Sequence, residues 1–287
     1  MLKRMSFKYF AIFLVAVWIT LFIVSPNLLV VAVSFLTRDP HAIISPAFTF
    51  DNYVSLFTPV YLKIFLKSLI YALFTTLLAL MISFPFAYIL SRLRREFQKP
   101  MLFLVIIPFW TSSLIRTYAL IIILKANGII NTLLLKTGLI SAPLEILYTD
   151  TAVYIGLIYT LLPFMILPLY AAFEKMDHRL VEAAIDLGAQ RIQVFSKIIF
   201  PLSLPGIMAG CIMVFIPAMG LFYVPDLLGG AKSMLLGNLI KNQFLVSENW
   251  PFGSAASVFL SMIMLIMLAV YFKSMKRFNA SLMKGQP

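Results

Sequence analysis

Six nearly charge-free segments, each long enough to cross a lipid bilayer, dominate this chain of 287 residues. They cover residues 10–36, 68–90, 101–124, 151–173, 198–225 and 251–272. A membrane-spanning helix needs roughly 20 consecutive apolar residues, and every block meets that length. Hydrophobic residues make up 62% of the chain and charged residues 12%, about half the charged share of a typical soluble domain. The sequence therefore predicts an all-α integral membrane protein with six transmembrane helices.

Prolines lie inside several of these blocks, among them Pro26, Pro85, Pro163, Pro168 and Pro217. Membrane helices tolerate proline because neighbouring groups satisfy the carbonyl oxygens that it leaves unpaired. We therefore expect kinked helices at these positions and not loops.

The first block resembles a signal peptide in one respect, since Lys3 and Arg4 precede its apolar run. A signal core has only roughly 7–15 apolar residues, whereas this block spans residues 10–36. We therefore expect a transmembrane helix that is not cleaved.

Basic residues are distributed unevenly between the two sides of the predicted membrane domain. Fifteen of the 23 lysines and arginines fall at the termini and in the loops after the second and fourth blocks. Seven fall in the remaining loops, and Arg116 lies inside the third block. Because the positive-inside rule assigns the richer side to the cytoplasm, we expect both termini and the 174–197 loop to be cytoplasmic.

The net charge of +12 arises from connections between apolar blocks and not from one folded face, so a nucleic-acid partner is not expected. Cys211 lies inside an apolar block, and His41 and His178 are far apart in the sequence. The sequence therefore predicts no disulfide, metal site, cofactor or catalytic cluster.

The loop between the fourth and fifth blocks, EKMDHRLVEAAIDLGAQRIQVFSK, has the pattern of a short amphipathic helix. An apolar stripe at helical offsets of three, four and seven consists of Leu180, Ala183, Ala184 and Leu187. Glu182 and Asp186 lie opposite this stripe, and Asp177 is a candidate N-cap. Small residues on the stripe would allow a partner surface to approach the helix backbone closely.

Gly188 is predicted to end this helix, because glycine readily adopts the left-handed conformation that helix C-termini commonly use. Ile192, Val194 and Phe195 then begin a second apolar stretch, so the loop should form helix, glycine turn and helix. Such an element is suited either to a groove in another protein or to the membrane surface. The residue pattern alone does not choose between these two interpretations.

The same loop resembles the signature of type I ABC importer permeases. The pattern is Glu-Ala-Ala, three residues, Gly, nine residues, Ile, and Pro, which here falls on Glu182, Ala183, Ala184, Gly188, Ile198 and Pro201. Phe200 replaces the leucine that the family usually has before this proline. The resemblance implies that coupling helices at 177–196 enter a cleft of a separate ATPase through Glu182, Ala183, Ala184, Asp186 and Gly188.

This chain has no phosphate-binding loop of its own. The nearest pattern, Gly229 to Ser233, has Ala231 where a P-loop needs glycine and Asp226 where it needs the earlier glycine. We therefore expect a subunit that is not an enzyme. The resemblance implies two copies of a cytoplasmic ATP-binding subunit, a second homologous permease, an extracytoplasmic solute-binding protein and surrounding lipid, in the inner membrane.

Resemblance to one group within this class covers most of the chain. The matching strings are FLTRDP (35–40), DNY (51–53), PFWTSSLIRTYA (108–119), LLPFMILPLY (161–170), IPAMGLFYVPDLLGGAK (216–232) and NWPFGSA (249–255). They are similar to the B-type permease of spermidine/putrescine transporters, which implies a polyamine cargo. The expected organisation is a first helix with its outer loop (1–62), a core transmembrane domain (63–275) and a cytoplasmic tail (276–287).

A polyamine pathway should contain carboxylates for the ammonium groups and aromatic faces for cation–π contacts. At the outer end of the fifth block, we take Asp226 as the acid nearest a span, and we expect it to supply a carboxylate to the pathway beside the ring of Tyr223. Trp110 and Tyr118, eight residues apart, should lie on roughly one face of the third helix. The aromatic residues could instead belong to an interfacial belt, and Asp226 could cap a helix or pair with Lys232.

Arg116 requires compensation, because a charge inside a span is costly. For a cationic cargo we expect it to be paired, or to contact the second permease. If the cargo were an anion or iron, Arg116 would bind it instead. A membrane enzyme should show an acid, base or metal cluster, and a scaffold would not need prolines and glycines in nearly every span.

Overall fold

A computed structural model describes residues 2–39, 43–177, 179–230 and 233–284. The elements are α1 (Leu2–Ile19), α2 (Ser25–Ser34), β1 (Leu36–Asp39), β2 (Ile43–Phe48), α3 (Asp51–Leu56), α4 (Pro59–Arg92), α5 (Arg95–Ile106), α6 (Ser113–Leu124), α7 (Ile129–Lys136), α8 (Asp150–Glu174), α9 (Arg179–Asp186), α10 (Arg191–Val194), α11 (Phe200–Gly220), α12 (Leu236–Leu245) and α13 (Trp250–Lys284). Shorter turns are π-helical at Thr20–Val24, Phe195–Ile199 and Pro225–Gly229, and 3-10 at Ile107–Trp110.

Six helical stretches are long and apolar enough to cross a membrane, the number that the sequence predicted. They are Lys8–Ser34, Pro59–Arg92, Ser113–Lys136, Asp150–Glu174, Arg191–Gly220 and Trp250–Lys276. In the most apolar window of the first stretch, no side chain is buried within this chain. Such a helix needs lipid or another protein around it.

The helices continue through the predicted internal prolines. Pro85 lies within α4, Pro163 and Pro168 lie within α8, and Pro217 lies within α11. Pro26 is the second residue of α2, directly after a π-helical turn, so the helical run is unbroken there as well. None of these five positions is a loop.

The third predicted span, 101–124, is not one continuous helix. A 3-10 turn at Ile107–Trp110 follows α5, and extended backbone then precedes α6. Thr111 closes this turn, since its backbone N–H and its Oγ1 both donate to the Pro108 carbonyl, at 3.2 and 2.8 Å. The stretch of membrane length starts after this break and covers Ser113–Lys136.

A small antiparallel ladder adds to the predicted all-α architecture. Strands β1 and β2 pair between the first and second spans, with an irregularity after Leu36. Asn52 ties α3 to this ladder, because its Nδ2 donates to the carbonyls of Ser34 at 3.0 Å and Leu36 at 2.8 Å. The neighbouring Tyr53 hydroxyl lies 2.7 Å from Ser34 Oγ. These contacts give the DNY string a structural role.

The chain forms two compact units, Met1–Lys63 with Leu239–Leu265, and Ile64–Asn238 with Ile266–Pro287. The core of the first unit contains Leu56, Phe252, Ala255 and Ala256. The core of the second contains Tyr71, Leu124, Ala152, Val153, Leu157, Val224, Leu228 and Leu235. The domain boundaries expected from the sequence, at 62 and 275, stay predictions.

Within the second unit, α8 packs against α11 through two glycines one helical turn apart. A Cβ atom on Gly206 would lie 2.6 Å from Ala172 Cβ and 2.8 Å from the Pro168 carbonyl oxygen. A Cβ atom on Gly210 would lie 2.6 Å from Met165 Sδ. Small residues of this kind allow the backbones of membrane helices to approach closely.

Replacing Gly206 with leucine should separate α8 from α11, because the side chain would have to occupy space already filled by backbone. We expect Gly206→Leu to lower the free energy of unfolding by about 3 kcal/mol. Thermal denaturation of the detergent-solubilised protein, followed by size-exclusion fluorescence, measures this change. Ala269→Leu adds similar bulk at an exposed position and should denature at the wild-type temperature. Equal stability of the two variants would contradict the close packing.

Candidate functional site

The loop after α8 contains the predicted helix, glycine turn and second helix. α9 begins at Arg179, the first described residue after position 178, and α10 follows the turn at Gly188. Gln190 and Gln193 form a reciprocal capping box at the start of α10. Local hydrogen bonds therefore fix the start of α10.

Asp177 caps α9 as the sequence predicted. Its Oδ1 accepts a hydrogen bond from the backbone N–H of Arg179 at 3.0 Å. The Arg179 side chain also donates to both carboxylate oxygens, at 3.2 and 3.1 Å. These bonds to the Asp177 carboxylate raise the pKa of the Arg179 guanidinium above its ordinary value.

Gly188 ends α9 with a φ of +81°, the left-handed conformation that the sequence predicted. The Gly188 N–H donates to the Ile185 carbonyl at 2.9 Å, and the Ala189 N–H donates to the Ala184 carbonyl at 3.0 Å. This is the pattern of a Schellman motif. A Cβ atom at Gly188 would meet nothing within 4 Å, so the backbone conformation and not space selects glycine here.

One side of this loop is anchored and the other is open. Val181 and Val194 are each 4% exposed and hold the two helices against the chain. Leu187 is 88% exposed and Ile192 is 78% exposed. The predicted apolar stripe is therefore accessible to a partner. Val181, which was not part of the predicted stripe, is the buried residue that anchors α9.

The exposed part of the loop combines apolar and acidic side chains. Glu182, Ala183 and Asp186 are exposed, and Ala184 is half-buried. Leu180 is exposed as well, next to these residues on α9. We define this set, together with Leu187 and Ile192, as the docking face. Its exposed leucines and small alanines suit insertion into a protein groove, and membrane-surface binding is the alternative.

Trp110 and Tyr118 do not share one helix face as predicted. Trp110 lies in the 3-10 turn before α6, and Tyr118 lies within α6, beyond the extended residues Thr111 and Ser112. Both side chains are more than half exposed, and the Trp110 ring contacts Phe103 edge-on at 5.5 Å. The break after Pro108 is the physical reason for this difference.

Tyr223 and Asp226 lie together in the segment that follows α11. Tyr223 is half-buried and packs against the core of the second unit, so it is part of the core as well as a candidate for the pathway. Asp226 lies in the π-helical turn and accepts a hydrogen bond from Asn238 Nδ2. The same Nδ2 donates to the Phe222 carbonyl at 2.8 Å. Lys232, the alternative partner of Asp226, lies outside the described residues.

Arg116 is half-buried and is surrounded by aromatic rings. Its guanidinium carbon lies 5.5 Å from the centre of the Phe109 ring and 5.9 Å from that of Tyr159. Its Nε and Nη1 make no hydrogen bond with any described residue. Cation–π contacts compensate part of the cost of this charge. Its pairing with a group on another subunit stays a prediction.

Asp150, which was not among the residues predicted from the sequence, is a second acid that lies directly at the end of a span. It is the first residue of α8, and Ser233 Oγ donates to its Oδ1 at 3.3 Å. Lys67 Nζ lies 4.0 Å from the same oxygen. The sequence signal was Thr149-Asp150 directly before an apolar block, a typical helix start.

Comparisons with known proteins agree on one family. Residues 83–284 match the model for the binding-protein-dependent transport system inner membrane component. The spermidine/putrescine transport system permease protein PotB of Haemophilus influenzae is 50% identical over 274 residues, 96% of each chain. PotB of Escherichia coli (strain K12) is 50% identical over 262 residues, 91% of this chain and 95% of that protein.

Solved structures show a similar fold. A bacterial ABC transporter involved in the import of the acidic polysaccharide alginate matches with a TM-score of 0.78 at 18% identity, over 96% of both chains. A second structure of a bacterial alginate ABC transporter matches with a TM-score of 0.76 at 18% identity, over 94% of this chain and 93% of that one. Identity this low is evidence for the fold alone.

Replacing Gly188 should loosen the end of α9. We expect Gly188→Val to destabilise this turn by about 1–2 kcal/mol, because a β-branched residue strongly disfavours the left-handed conformation. Hydrogen–deuterium exchange of the peptide that contains Gly188 and Ala189 should then be faster than in the wild type. Gly188→Asn is the matched control, since asparagine tolerates this conformation, and its exchange should change less. Equal exchange in both variants would contradict this account.

Proposed function

Because the chain belongs to the binding-protein-dependent transport system inner membrane components, we propose that it carries a polyamine, spermidine or putrescine, as the permease of an ATP-driven importer. The observation that carries this proposal is 50% identity to a spermidine/putrescine permease along 96% of both chains. The chain is a multi-pass inner-membrane transport subunit and not an enzyme.

The proposed assembly has two permeases and two ATP-binding subunits. This chain would pair with a second, homologous permease, and a solute-binding protein would deliver cargo from outside. The family description supports dependence on a binding protein. The distribution of basic residues supports cytoplasmic termini. With the type I importer fold, the docking face would then lie on the cytoplasmic side, where an ATPase can reach it.

Coupling would run through the docking face. Leu187 and Ile192 are largely exposed, so a partner groove could bury them and gain hydrophobic stabilisation. Glu182 and Asp186 beside them would orient the helix toward basic groups of the ATPase. When ATP draws the two ATPase subunits together, α9 would move with the groove. Alternating access of the membrane domain would follow.

The proposed pathway uses Trp110, Tyr118, Tyr223 and Asp226. Exposed Trp110 and Tyr118 present ring faces that a polyammonium chain can bind. Asp226 supplies a carboxylate at the segment after α11, where the helix is interrupted. Interrupted helices of this kind line binding sites in many transporters.

An anionic cargo is the second candidate, and one observation favours it. The Arg116 guanidinium has two nitrogens without a hydrogen-bond partner among the described residues. An anion could occupy them, but the rings of Phe109 and Tyr159 already face this charge. Uptake of a polyamine by the purified assembly decides between these cargoes.

Glu182→Lys should leave the protein in the membrane but uncouple ATP hydrolysis from transport. Glu182 is exposed on the docking face, so the change reverses a charge there without replacing a buried side chain. We expect a loss of about tenfold in ATP-driven uptake, because a reversed charge disfavours binding to the partner, and uptake is measured in proteoliposomes that contain all partner subunits. Glu96→Lys, a charge reversal at another exposed position in the first turn of α5, is the control. Normal uptake in Glu182→Lys would contradict the coupling role.

Trp110→Ala should weaken uptake of labelled spermidine by the same assembly. The loss of one ring face should raise the KM by about fivefold, the effect of roughly 1 kcal/mol of cation–π interaction. Trp18→Ala, which removes an exposed tryptophan from α1, should leave the KM unchanged. Absence of spermidine uptake by a wild-type assembly with an active ATPase would refute the polyamine cargo.

A further inference from the structure

The start of α8 carries a carboxylate that the helix does not need for its own cap. Thr149 is the N-cap residue, and its Oγ1 accepts the hydrogen bond from the Ala152 N–H at 3.4 Å. Asp150 follows it, and its side chain is 62% exposed. The long bond from Ser233 Oγ, at 3.3 Å, leaves most of this carboxylate open to a cation.

Two tyrosine rings lie beside this carboxylate. The ring of Tyr71 stacks on that of Tyr154, with centroids 4.7 Å apart and planes 22° apart. The Tyr71 hydroxyl interacts electrostatically with Asp150 but makes no hydrogen bond of ordinary geometry with a described residue. Tyr71 is only 3% exposed, so this ring is held firmly in the core.

An ammonium group from the chain itself already occupies this location. Lys67 Nζ lies 5.4 Å from the centre of the Tyr71 ring and 4.0 Å from Asp150 Oδ1. The lysine side chain is a four-carbon chain that ends in a primary ammonium. Putrescine and the aminobutyl arm of spermidine contain the same unit, so the Lys67 side chain is a chemical analogue of the cargo at this location.

We propose that Asp150 and the Tyr71 ring bind a primary ammonium of the polyamine cargo, and that Lys67 occupies this site while cargo is absent. The inference rests on the proposed function. Lys67 thereby acts as a tethered competitor, which incoming cargo displaces. In the proposed orientation the site lies at the outer end of α8, where cargo arrives from the binding protein.

The contacts of Lys67 favour displacement. Its separation of 4.0 Å from Asp150 is too long for a hydrogen bond, and its side chain is 32% exposed. Partly exposed ion pairs contribute little to stability because water screens them. A polyamine brings two or more ammonium groups, so one can take the place of the Lys67 ammonium beside Asp150 and Tyr71 while another makes further contacts along the pathway.

The test compares KM values for spermidine uptake by proteoliposomes with the full assembly. Lys67→Met keeps the unbranched side chain but removes the ammonium, and it should lower the KM by about two- to fivefold. Asp150→Asn should raise the KM by about tenfold, because the carboxylate is the charged ligand. The double variant should match Asp150→Asn, since a competitor has no effect at a site that no longer binds.

Lys63→Met is the matched control, since Lys63 is exposed and lies one turn earlier in the same helix. Its KM should equal that of the wild type. If Lys67→Met raises the KM or leaves it unchanged, Lys67 is not a competitor and the inference is wrong. If Lys67→Met does not assemble, Lys67→Gln, which also removes the ammonium, can be measured in its place. Failure of the proposed function would give a different result from failure of this inference, because the wild-type assembly would then take up no spermidine.

Discussion

Backbone hydrogen bonding within hydrocarbon is the constraint on which the rest of this structure depends. Lipid offers no partner to an unpaired N–H or C=O group, so each span must satisfy its own backbone as a helix. Where a helix is interrupted, nearby groups must pair with the backbone atoms that are left without a partner. Thr111 does this by donating two hydrogen bonds to the Pro108 carbonyl. Candidate pathway residues lie at such interruptions, Trp110 before α6 and Asp226 after α11.

Close helix packing connects the two proposed sites. Gly206 and Gly210 allow α11 to approach the backbone of α8, and the loop that bears the docking face joins the ends of these two helices. Asp150 lies at the opposite end of α8. In the proposed mechanism, a force on α9 is therefore delivered to a rigid pair of helices and reaches the end where cargo binds. Tight packing has this effect because it transmits displacement instead of absorbing it.

Aromatic rings lie beside two charged side chains within the second unit. Arg116 faces Phe109 and Tyr159, and Lys67 lies over Tyr71 beside Asp150. A ring face attracts a cation without adding a second full negative charge beside the carboxylate. In the proposed transporter, such an environment holds the cargo weakly enough to release it.

The sequence by itself determined the six spans, the helix and glycine turn at 177–196, and the family. These follow from local rules: apolar length, the left-handed conformation at Gly188, and motif spacing. Only the tertiary structure decided that 101–124 is broken, that Val181 anchors the loop, and that Lys67 meets Asp150. Residues 67 and 150 are far apart along the chain, and no local pattern reports their distance. Packing of α4 beside α8 brings these two residues together. A local pattern cannot predict this contact, because the packing of two helices depends on all the side chains that fill the space between them.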